Sequence, residues 1–128
     1  MSNAVSPQQA YRRSTVLSAT PGQLTVMLYD GARRFLAQAA AAMLAGEVER
    51  AHKTLRRAEM IISHLDGAID DEQGEQLPGR LHAIYRFALA HLHAGRMAQD
   101  PVKLEEVSQM LGELRDAWAQ VADEVERS

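Results

Sequence analysis

Large apolar residues recur along this chain at alternating steps of three and four, the signature of helices that each bury one face. No strand-like alternation of useful length is present. The pattern resolves into four helices. Thr20 is placed to cap the first, Pro21 suits its first turn, and Gln23 can close a capping box. Leu24, Met27, Leu28 and Gly31 follow at helical spacing, and an alanine run from Ala37 to Ala42 carries the helix to about Ala45, with Gly46 as its stop. The second helix runs from about Glu47 to Asp66 on a stripe of Val48, Ala51, Leu55, Ala58, Ile62 and Leu65. An acidic, glycine-bearing connection follows. The third helix runs from near Pro78 to about Ala98, with Leu81, Ile84, Ala88 and Leu92 inward and Tyr85 close by. Asp100 and Pro101 open the fourth, whose stripe is Leu104, Val107, Leu111, Leu114, Trp118, Val121 and Val125. Short connections predict an antiparallel up-down four-helix bundle over residues 20–128, an all-α fold. Residues 1–19 stand apart as an N-terminal segment.

The apolar surface exceeds what those stripes need. Val26 and Tyr29 lie off the first stripe, Ile61 off the second, and Phe87 and Leu89 off the third. Together with Leu36 they can line a groove that is costly to leave wet. Tyr29 and Tyr85 have a greasy ring and a polar tip, so a core site and a groove rim suit them equally. Trp118 reads best as a plug at the bundle end. Tyr11, Val16 and Leu17 give the N-terminal segment enough apolar weight for a displaceable cap, the other reading being an indifferent tail.

Composition narrows the chemistry. A formal net charge of −3 argues against nucleic acid. No cysteine means no disulfide framework and no thiolate chemistry. No apolar run is long enough for a membrane span, and no signal peptide is visible, while the absence of cysteine fits a reducing cytoplasm. His91 and His93 are two apart and diverge on a helix, while the single Glu-x-x-His spacing, Glu49 to His52, has its carboxylate facing outward. Neither a metal nor another cofactor is expected. Asp30, Glu113 and Asp116 have arginines near them and read as a solvated charged face. No phosphate-cradling loop or nucleophile elbow is present, so no enzyme is expected.

The stretch Thr20–Gly31, TPGQLTVMLYDG, preceded by Tyr11 and Val16 and followed by Leu114–Trp118, LRDAW, resembles the FliS family of flagellar export chaperones from about Tyr11 to Trp118. The resemblance implies a non-catalytic helical bundle that binds the disordered C-terminal segment of flagellin in the cytoplasm, folding it into helices along hydrophobic grooves and blocking premature polymerisation. It implies a capping role for the segment bearing Tyr11, docking on the export gate protein FlhA and, in some members, an anti-sigma factor or a co-chaperone as partner. The chain departs from the family at residues 71–75, where many relatives carry paired glycines, and at residues 56–60, RRAEM; both bear on partner preference. On this reading Leu24, Val26, Leu28, Tyr29, Leu36, Ile61, Leu65, Tyr85, Phe87 and Leu89 form the cargo surface, and Tyr11, Val16 and Leu17 the cap. A monomer or weak dimer is expected. The competing readings are a bundle that buries its surplus apolar face against itself, and a ligand-carrying bundle enzyme.

Overall fold

Thr20 opens the first helix as its chemistry dictates. Its hydroxyl accepts from the Gln23 backbone N–H at 3.2 Å, and the Gln23 side-chain oxygen accepts from the Thr20 N–H at 3.0 Å. Two backbone donors that the helix leaves unpaired are thereby satisfied. In the computed structural model, which describes residues 19–69 and 77–127, this helix is α1, Pro21–Leu44. It is followed by α2, Val48–Gly67, α3, Leu77–Ala98, and α4, Pro101–Arg127. Among the described residues there is no strand.

Two tight turns reverse the chain. After α1, Gly46 takes φ 75°, where a side chain would be strained, and the Glu47 N–H reaches back to the Ala42 carbonyl at 2.9 Å. After α3, Gln99 takes φ 49°, and the Asp100 N–H donates to the Gly95 carbonyl at 2.9 Å. Asp100 then accepts the Val102 N–H at 3.0 Å, so one residue ends α3 and caps α4. A Cβ on Gly95 would lie 2.8 Å from Leu104 Cδ1, so this turn is tight because position 95 has no side chain.

Cross-helix pairs show that neighbours run antiparallel. Arg57 lies over the Phe35 ring between α1 and α2. Asp66 meets His82, and Glu59 meets Arg96, between α2 and α3. Asp30 meets Arg115, and Arg33 meets Ser108, between α1 and α4. α1 packs on α2 and α4, and α3 closes the far side of the same square. Buried Ala32, Ala39, Ala40 and Ala42 let two helices come close to α1. The core is completed by Leu36, Leu55, Ile62, Leu92, Leu104, Val107 and Leu111.

The inward stripes need correcting at their ends. Val48 is exposed because it stands in the first turn of α2, beyond the packed layers. Val121 and Val125, at the far end of the α4 stripe, are also exposed. On α3, Tyr85 takes the buried place and Ile84 is half-buried.

Replacing a cap and replacing a core side chain should differ in cost. Thr20→Ala is expected to lower stability by about 1 kcal/mol, and Leu55→Ala by about 2–5 kcal/mol. Urea unfolding followed by circular dichroism checks both.

Candidate functional site

One end of the core is polar. Tyr29 on α1 and Tyr85 on α3 are 0% and 2% exposed, and their hydroxyls share a hydrogen bond across the bundle. The Trp118 indole N–H, from α4, is close enough to the Tyr29 hydroxyl to act on it as a donor. Beside them Asp66 on α2 lies 2.6 Å from His82 Nδ1, and its charge is felt at Tyr85. All four helices therefore contribute to this layer.

Burial holds both phenols neutral. It raises Tyr29 above the ordinary value of 10.0, against the opposing pull of the hydrogen bonds from Tyr85 and Trp118. Burial likewise raises Tyr85, and the Tyr29 hydrogen bond and the nearby negative charge of Asp66 add to it. Trp118 is half-buried and packs against the core, as a plug does.

The ten residues expected on a cargo surface do not gather on one face. Tyr29, Leu36, Leu65 and Tyr85 are buried, which corrects their expected place on an outer groove. For the two tyrosines, hydroxyl pairing removes the cost of burying the polar tip. Leu36 and Leu65 fall on the inward arcs of their helices. The other six reach the surface in separate places. Leu24 is exposed, with Val26 and Leu28 half-buried in the same first turns of α1. Ile61 is half-buried, and its Cδ1 would meet a Cβ on Gly31 at 3.5 Å. Leu89 is half-buried and lines the groove between α2 and α3. Phe87 is 54% exposed and stacks on His91, ring centroids 5.3 Å apart. His91 Nε2 lies 3.3 Å from Glu106 Oε2, without the alignment of a hydrogen bond. Tyr11, Val16 and Leu17 lie outside the described residues.

Sequence patterning missed other exposed apolar side chains. Val121 is 49% exposed close to the α1 start, where Ala122 Cβ would touch a Cβ on Gly22 at 3.1 Å. Met60 is exposed on α2, and its off-stripe position was the available signal. Leu44, Val48, Met97 and Val102 are exposed at the two tight turns, which share the opposite end. A groove of about 610 Å³ between α1 and α4 is floored by Ala40 and Gly112, with the Arg33 guanidinium laid against Gly112.

Among the described residues no three His, Asp or Glu side chains gather as metal ligands, and no helix is long and apolar enough to cross a membrane. What the fold offers is apolar surface on a firm helical scaffold, the build of a small helical binding protein.

Comparison with known proteins makes that class specific. The family model described as flagellar protein FliS matches residues 2–125, and the chain belongs to the FliS family. It is 33% identical over 114 residues to the flagellar secretion chaperone FliS of Bacillus subtilis, covering 89% of this chain and 84% of that protein. It is 32% identical over 110 residues to the flagellar secretion chaperone FliS of Salmonella typhimurium, covering 85% and 82%. The flagellar secretion chaperone FliSB of Pseudomonas aeruginosa is 32% identical over 111 residues, covering 87% and 88%.

The polar layer generates two expectations. Tyr29→Phe should destabilise more than Tyr85→Phe, by about 2 kcal/mol against about 1, because it orphans both the Tyr85 hydroxyl and the Trp118 N–H. Urea midpoints of the two variants check the order. The phenols also predict alkaline sensitivity. Their folded values are raised, so their contribution is intact below 10.0, the unfolded value, and is lost as pH rises above it. The urea midpoint should fall above that pH, and fall less in the Tyr29→Phe/Tyr85→Phe double variant.

Proposed function

We propose that this chain is a cytoplasmic flagellar export chaperone that holds the disordered C-terminal segment of flagellin and keeps it from polymerising before secretion. The observation that carries this reading is membership of the FliS family over residues 2–125. The relatives' printed name, flagellar secretion chaperone, agrees with it. Exposed apolar side chains on a well-packed bundle supply the physical means. A disordered segment that folds against the bundle buries its own apolar face and that of the chaperone together.

On this proposal the cargo surface centres on the start of α1, with Leu24, Val26 and Leu28, and is extended by Val121 on α4, while Phe87 on α3 offers a separate contact. The fully buried tyrosines act beneath it by fixing how the helices stand. Tyr11, Val16 and Leu17 form a cap that shields this surface until cargo displaces it. The loaded chaperone then docks on the export gate. Coupled folding lowers the affinity gained per unit of buried area but lets a small domain hold a long segment.

Titrating a flagellin C-terminal peptide into the full chain should release binding heat and add helical circular dichroism signal. Leu24→Asp should weaken binding about tenfold or more, since an interfacial anchor is lost, while leaving the melting temperature near the wild-type value. Absence of both heat and added helix would refute the proposal. A concentration-independent dimer that ignores the peptide would favour the self-associating bundle.

A further inference from the structure

The groove between α2 and α3 differs in character from the proposed cargo surface. It encloses about 590 Å³. Its apolar floor is Leu89 and Met60, and Met60 is 67% exposed. A methionine adapts its shape to whatever packs on it. The groove's carboxylate, Glu59, is already neutralised. Both its oxygens are held by the Arg96 guanidinium, one of them at 3.2 Å from Nη1. Arg56, on the rim, is exposed and has no ion-pair partner among the described residues. Lys53, one turn earlier, instead lines the neighbouring groove on the α1 side of α2, with Glu47 and Glu49. His52 and His64 complete the rim. Unneutralised positive charge thus borders an apolar floor, on a chain whose net charge is −3.

We propose that this groove docks an acidic amphipathic helix of another protein, at a site separate from the flagellin surface. Each half of the occupant is set by what lies opposite. Apolar side chains on one face would cover Met60 and Leu89. Carboxylates along the adjoining face would meet Arg56, where a basic segment would be repelled. Two antiparallel helices form a straight groove that accepts the ridge of a third helix. The apolar floor suits such a helix better than a polyphosphate chain, which needs a continuous basic track. This proposal goes beyond the export-chaperone reading and does not depend on flagellin occupying the groove.

The test uses the full chain and a synthetic amphipathic Leu/Glu peptide, with a Leu/Lys peptide of the same length as control. Amide chemical-shift mapping should place the Leu/Glu peptide along His52–His64 and at Leu89, and the Leu/Lys peptide should not bind there. Arg56→Glu and Met60→Glu alter exposed side chains, and melting curves confirm that both variants fold. Each should weaken the Leu/Glu peptide about tenfold or more while changing flagellin-peptide affinity by less than about twofold. Raising salt should weaken the Leu/Glu complex. Equal binding of the two peptides, shifts on another face, or insensitivity to both variants would overturn the proposal. So would tighter binding to vesicles of anionic lipid than to the peptide. A parallel loss of flagellin binding in the variants would make the groove part of the cargo surface and overturn its separateness. Failure of flagellin to bind the unaltered chain would strike only the export-chaperone reading.

Discussion

A four-helix bundle can bury only the arc of each helix that faces its axis, and in this chain that arc is filled before the large apolar residues run out. α1 shows why. Its inward arc is built largely from alanine, so α2 and α4 close tightly on it and leave little room. Tyr29 and Leu36 occupy the space that remains. Leu24, Val26 and Leu28 are left at or near the surface in the first turns. The same limit puts Phe87 and Met60 outside on α3 and α2. Tight packing of the centre and greasiness of the exterior are thus one property seen from two sides.

The buried hydroxyl layer gives this arrangement its register. An aliphatic layer would tolerate sliding between helices. A hydroxyl pair between Tyr29 and Tyr85, joined by the Trp118 N–H, tolerates far less, because a slip would bury polar groups without partners. The outer apolar residues are therefore presented from fixed positions. A binding surface with fixed spacing spends little entropy on ordering itself, and the cost of ordering falls on the incoming segment.

Much of the fold was legible in the sequence because its signals are local. The Thr20–Gln23 cap, the stop at Gly46 and the Asp100–Pro101 start each depend on residues within one turn, and each stands where chain chemistry puts it. The family likeness was legible too, in the stretches around Tyr29 and Trp118. The surface was less legible. Periodicity ranks positions by angle around a helix, but exposure also depends on how near a neighbour comes and where the bundle ends. Tyr85 is core although Ile84 fits the stripe, because its hydroxyl finds Tyr29 on another helix. Val121 fits its stripe and is nevertheless half-exposed, as the α4 stripe runs out of buried positions beyond Leu111. The basic rim at Arg56 was invisible as a site, since its meaning depends on Arg96 having neutralised Glu59 across the groove.

On the proposed function, apolar side chains left outside a filled core are the surface that shelters another chain. Hydrogen–deuterium exchange of the full chain, with and without the flagellin C-terminal segment, tests it most directly. Added protection is expected in the first turns of α1 and the last turns of α4, with the core amides around Leu55 and Leu104 unchanged. Protection spread evenly over the bundle, or none near Leu24 and Val121, would contradict it.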